Sequence, residues 1–123
     1  MPAADAPPVE RTLKTYKGVR GADGVGHVYV TEAGRPDRLL APRTDLFMRS
    51  SAGLDWGYSG SGPAQCALAI LANALGDDLR AVRLHSGFHL KVIAALPRHL
   101  SWELTQAQVT AAVEDIERNF PEE

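Results

Sequence analysis

The chain has 123 residues, 45% of them hydrophobic and 23% charged, which is the composition of a globular domain and not of a disordered segment. With 13 basic and 15 acidic side chains the net charge is -2, which excludes a histone-like polycation. The single cysteine, Cys66, excludes a disulfide framework or a CxxC zinc site, and the longest apolar run, Ala64 to Leu75, is too short to cross a bilayer.

The first ten residues, Met1 to Glu10, are rich in Ala and Pro and read as a flexible leader, without the charged and apolar regions of a secretory signal. Residues 11–123 then form one expected domain, cytoplasmic in setting. From Thr12 to about Tyr58 the chain reads as short strands and turns. Tyr16 and Val19 precede the turn signal Gly21-Ala22-Asp23-Gly24, and His27 to Thr31 alternates with Val28 and Val30 on one face. Gly34-Arg35-Pro36-Asp37 reads as a second turn, Leu39-Leu40 as a short third strand, and Leu54 to Tyr58 as a fourth.

After Gly62 the period changes. Pro63 opens a helix through Leu75, apolar around most of its circumference and therefore central. Gly76 ends it, and Asp77-Asp78 start a second helix that Ser86-Gly87 is expected to break. Phe88, Val92, Ile93 and Leu96 give the stripe of a following helix closed by Pro97. Thr105 and Gln108 form a capping box for the last helix, whose apolar face is Val109, Val113, Ile116 and Phe120, with Pro121 as its stop. The expected fold is α+β: a small antiparallel sheet from the N-terminal half packed against three or four helices from the C-terminal half. Trp56 and Trp102 are expected to be buried.

Chemistry concentrates in Asp55-Trp56-Gly57-Tyr58-Ser59-Gly60-Ser61-Gly62-Pro63-Ala64-Gln65. Glycines leading into a helix start resemble an anion-binding loop, which makes Ser59, Gly60, Ser61 and Gly62 candidate ligand contacts. The string matches neither a P-loop nor a dinucleotide fingerprint nor a nucleophile elbow. Glycines that merely let the backbone turn and pack against Trp56 are the plainer reading.

This string, followed by Ala67-Leu68-Ala69-Ile70-Leu71, resembles a family of small uncharacterised bacterial and phage proteins, a domain of unknown function. The resemblance takes in Tyr16 to Arg20, His85 with Phe88, Val92 to Ala94, and Trp102 to Thr105, and so spans roughly residues 14 to 118. Its motif residues are Asp55, Trp56, Gly57, Tyr58, Pro63, Gln65, His85 and Trp102. Leu54, Cys66 and Asn73 depart from the pattern, the last standing where an aspartate is usual. The resemblance implies a shared fold in a cytoplasmic or mobile-element setting, and no activity.

Three function classes are weighed. The leading one is a non-catalytic protein without metal or cofactor that docks on a protein partner, such as a phage inhibitor of a host system. Its basis is the acidic second half, where residues 51–123 hold nine acids against five bases. The second is a nucleic-acid or nucleotide binder, with Arg11, Lys14, Tyr16, Lys17, Arg20 and Tyr29 on one basic, aromatic sheet face. Charges that protect a sheet edge are the plainer account of those residues. The third is a small hydrolase using Ser59, Ser61 or Cys66 beside His85 or His89, with Asp55 or Asp77 orienting the base. His85 and His89 also have metal-ligand spacing, but ordinary helix-end histidines are commoner, and no metal site is expected.

Overall fold

The computed structural model describes residues 13–119. The leader, Arg11, Phe120 and Pro121 lie outside the described residues. Three strands open the fold: β1 Lys14–Arg20, β2 Gly26–Glu32 and β3 Arg35–Leu39. Helices α1 Ser61–Leu75 and α2 Asp78–Lys91 follow, then a 3-10 turn Ile93–Ala95, strand β4 Trp102–Thr105 and helix α3 Gln106–Asn119. The four strands form one antiparallel sheet in the order β3-β2-β1-β4, so the chain is α+β with three α-helices among the described residues.

Strand alternation decides what each face of the sheet does. Tyr16, Val28 and Val30 point inward and are buried, and Trp102 joins them from β4 opposite Gly18. Thr15, Lys17, Val19, His27 and Tyr29 lie on the other, open face. β3 is an edge strand, exposed along its whole length, and tolerates Pro36 because an edge residue need not donate to a neighbour.

The two indoles need a flat floor. A Cβ on Gly18 would be driven into the Trp102 ring, and one on Gly26 would come within 2.7 Å of the Trp56 ring. The rings meet edge to face, with centroids 5.4 Å apart and an interplanar angle of 85°. Both indole N–H groups are buried without an acceptor among the described residues, so shape and area hold the pair.

α1 runs through the middle of the molecule, buried from Gly62 to Ala72. Leu68, Ile70 and Leu71 are fully enclosed, and each contributes about 1.5–3 kcal/mol of apolar transfer. The helix begins at Ser61, two residues before Pro63, and ends on Gly76 in the left-handed region, φ 64°. Asp77 caps α2 by accepting from the Arg80 N–H.

Several sequence expectations change. Leu54 to Tyr58 is irregular, and the fourth strand is instead Trp102–Thr105. α2 runs unbroken through Ser86-Gly87, because Gly87 lies where a Cβ would come within 3.2 Å of Ile116 on α3, so its small size serves helix packing. No separate α-helix lies between α2 and β4: Phe88 belongs to α2 and Ile93 to the 3-10 turn. The Thr105–Gln108 capping box forms in both directions, at 2.8 and 3.1 Å.

Candidate functional site

The motif segment 55–65 runs from beside the β1–β2 turn to the start of α1. Asp55 accepts from the Arg20 guanidinium at 2.8 Å, from the Tyr58 hydroxyl at 2.8 Å and from the Trp56 N–H at 2.9 Å. Burial pushes the Asp55 carboxyl up, but these donors outweigh it and hold it below the usual carboxylate range. Burial and the Asp55 charge together raise the Tyr58 phenol. Arg20 also donates to the Arg98 and Gly24 carbonyls and stacks on Trp56, 4.4 Å from the ring centroid. Arg98 covers Tyr58 in the same way, at 4.4 Å.

Gly57 has φ 88° and its N–H donates to the Ile93 carbonyl. A side chain there would be strained and would strike the Arg98 backbone, so the loop and the segment after the 3-10 turn close on each other only through glycine. Gly60 donates its N–H to His89 Nε2 at 3.2 Å, and the Gly62 carbonyl accepts from Asp55 N–H at 3.3 Å. Ser59 and Ser61 are exposed, and Pro63 is buried in the first turn of α1. A cleft of about 310 Å3 opens beside the loop, bordered by Arg20, Asp55, Tyr58, Ser61 and Gly62. Its three ionisable side chains are already bonded within the chain.

Gln65 is fully buried and uses its whole amide. Oε1 accepts from Arg49 N–H at 2.6 Å and Ser50 N–H at 3.0 Å, while Nε2 donates to the Pro42 and Phe47 carbonyls. One side chain thus clamps the segment 42–50 onto α1. The same segment reaches α2: Arg49 Nη1 lies 2.8 Å from His85 Nε2, and Phe47 meets the His85 ring edge-on. A guanidinium only donates, so His85 Nε2 is the acceptor and Nδ1 carries the proton that it donates to the Val82 carbonyl at 2.6 Å. His89 Nε2 is likewise an acceptor, for the Gly60 amide. Burial lowers both imidazoles, and the Arg49 charge lowers them further.

This geometry constrains the chemistry. Among the described residues no serine hydroxyl hydrogen-bonds to an imidazole, because His85 and His89 are taken by Arg49 and Gly60. Cys66 is fully buried, and burial raises its thiol far above the ordinary value. We therefore expect Cys66 in the native protein to resist iodoacetamide at pH 8 and to react only once urea unfolds the chain. Rapid native alkylation, read by mass spectrometry, would contradict this burial. Among the described residues no three His, Cys, Asp or Glu side chains come together as a metal-ligand set. Nor is any described helix long and apolar enough to cross a membrane.

The expected basic sheet face divides in two. Lysines and arginines three residues apart cannot share one side of a strand. Tyr16 points inward and donates to Asn73 Oδ1 at 2.8 Å, and Lys14 donates to the Asn73 carbonyl at 3.2 Å. Burial pushes the Tyr16 phenol up. Arg20 also points inward, to Asp55. Lys17 and Tyr29 remain on the open face as cross-strand neighbours, with Glu103 on the other side of Lys17.

Sequence reasoning missed the exposed apolar side chains on and beside α2. Leu79 and Leu90 on α2 are 81% and 60% exposed, and Phe47 and Met48, from the segment that packs on α2, are 48% and 60% exposed. The signal was present: Leu79 and Leu90 stand eleven residues apart, about three helical turns. They share a stripe with Arg83 and Ser86, away from the buried Ala81, Leu84 and Phe88.

A four-stranded antiparallel sheet closed on one face by a buried helix, with a motif loop tied to that helix, defines the class: a small α+β domain. Residues 16–115 match the profile of a family of unknown function, DUF6166, and the chain belongs to that family. No curated protein and no solved structure matches the chain.

Proposed function

We propose that the protein is a small intracellular accessory protein, of bacterial or phage origin, that docks on a protein partner through the outer face of α2. The observation that carries this reading is the exposed pair Leu79 and Leu90 on one stripe of α2, with Phe47 and Met48 exposed on the strap that packs beside the same helix. Scattered exposed leucines need no explanation, but two leucines on one stripe of a helix, with an exposed Phe and Met on the strap bound to the same helix, concentrate apolar side chains suited to association around α2. Methionine adapts to varied partner shapes, and an aromatic held edge-on against a buried ring gives a rigid anchor. The motif supports the reading from the other side, since Asp55, Tyr58 and Gln65 are spent on partners inside the fold.

The test is affinity purification with mass spectrometry, with and without nuclease, on the wild type and on Leu79→Glu/Leu90→Glu. A partner at fixed stoichiometry, insensitive to nuclease and lost in the variant, is the expected result. The exposed substitutions should leave stability within about 0.5 kcal/mol. Unchanged capture by the variant would remove α2 from the interface.

The open sheet face favours a second reading, nucleic-acid binding, because Lys17 and Tyr29 adjoin there as a cation beside a stacking surface. Binding of that kind weakens steeply with salt and on Lys17→Ala or Tyr29→Ala. A salt-independent association would exclude it.

A further inference from the structure

The segment that carries Phe47 and Met48 is fastened by two kinds of tether. Gln65 holds it to α1 through an amide that does not titrate. The tethers to α2 end on imidazole nitrogens: Arg49 on His85 Nε2 and, at the far end of the loop, Gly60 N–H on His89 Nε2. Neither donor can accept a hydrogen bond, so both contacts exist only while Nε2 is bare. An imidazolium turns each into donor facing donor, and at His85 it also sets a cation against the guanidinium.

The geometry points to a proton-operated latch: protonation of His85 and His89 releases the two ends of the strap, at Phe47–Arg49 and at Gly60, from α2. Gln65 keeps the strap on α1, and the Arg20–Asp55 pair and the Gly57 N–H on the Ile93 carbonyl hold its middle. The charged groups around the latch favour that outcome. From the strap, Arg49 acts on both imidazoles, and His85, one turn away on α2, also acts on His89. α1 contributes the neutral Gln65 amide and the buried, protonated Cys66 thiol. The carboxylates of this corner, Asp45 and Asp78, are bound to Arg43. Because both imidazoles lie below the ordinary value of about 6.5, the closed latch is fully favoured above that pH and is lost as pH falls through the lowered native values. On the docking reading above, release reshapes the partner surface, since Phe47 rests against the His85 ring and under the Arg49 guanidinium.

The experiment uses the whole chain with no partner, so it stands or fails apart from docking. Histidine ring signals and backbone amides are followed by NMR from pH 8 to 5, together with amide exchange. We expect the His85 and His89 rings to titrate below 6.5 with Nδ1 protonated at neutral pH. The Arg49 and Gly60 amides should shift with the same midpoints, and Gly60 protection should fall about tenfold between pH 7.5 and 5 after correction for intrinsic exchange. Amides of Val109 and Val113 in α3 should stay protected. In His85→Gln/His89→Gln, each Gln Oε1 can accept the same donor without titrating, and the strap should lose its pH response. Arg49→Met, which leaves both histidines in place, should open the Phe47–Met48 part of the strap already at pH 7.5. Titration of the rings without movement of the Arg49 and Gly60 amides would overturn the latch, as would an undiminished pH response in the double glutamine variant. Global loss of protection in step with the rings would do the same. Retained partner capture with no latch, or a working latch with no partner, tells the two proposals apart.

Discussion

Gly18→Ala is expected to lower stability by about 3 kcal/mol, and Gly18→Val to leave no folded protein. β1 is a central strand, paired with β2 on one side and β4 on the other, so it cannot move aside without breaking two ladders. Trp102 stands directly opposite Gly18, and its indole lies across the glycine where a side chain would project. The indole cannot retreat, because Trp56 meets it edge to face and is itself capped by the Arg20 guanidinium. A methyl group therefore propagates through both tryptophans to the Arg20–Asp55 pair, which links the sheet floor to the motif loop.

A double-mutant cycle isolates the cause. Trp102→Ala alone should cost about 3–5 kcal/mol as a large-to-small core change. Adding Gly18→Ala to it should cost almost nothing, since the new methyl then enters the space the indole left. Urea denaturation monitored by the remaining Trp56 fluorescence gives both numbers. Additive costs would mean that Gly18 is required by its backbone conformation and not by the ring.

Local rules carried much of the fold and little of the site. The capping box of α3, the alternation of β2 and the all-round burial of α1 each depend on residues within a few positions of one another, and each is visible in sequence. β4 is four residues long and exists because β1 offers it an edge, so nothing in Trp102–Thr105 alone announces a strand. Ser86-Gly87 reads as a break by propensity, yet the contact with Ile116 makes the glycine useful within a helix. The motif was legible as a dense string, but its meaning lies in partners far along the chain. Asp55 answers Arg20 from 35 positions away, and Arg49 answers His85 from 36. The basic face failed for a simpler reason: a spacing of three places Lys14 and Lys17 on opposite sides of a strand, which counting charges does not register.

Gln65→Leu is expected to cost about 3 kcal/mol although leucine nearly matches glutamine in volume and the site is fully buried. Size and hydrophobicity favour the substitution, and hydrogen bonding opposes it. Four backbone groups, the N–H of Arg49 and Ser50 and the carbonyls of Pro42 and Phe47, lose their partner together. They recover bonds only by letting water under the strap, so amide exchange at Arg49 and Ser50 should rise with the loss of stability.

Gln65→Glu separates hydrogen bonding from burial. Glutamate keeps the two acceptor contacts to Arg49 and Ser50 but sets a carboxylate oxygen against the Pro42 and Phe47 carbonyls. Burial and those carbonyls both favour the protonated acid, which can donate to one of them, so the folded-state pKa rises above the unfolded value of about 4.3. A raised native value makes the folded state bind the extra proton, and the variant's stability relative to wild type must fall as pH rises through it. At pH 5 the variant should lie nearest to wild type and at pH 8 furthest from it, while Gln65→Leu shows the same deficit at both. Comparison at matched pH cancels the contribution of His85 and His89, which runs the other way. An equal deficit for Gln65→Glu at pH 5 and pH 8 would mean that water already reaches this amide, and the clamp would then owe its strength to the acceptor contacts alone.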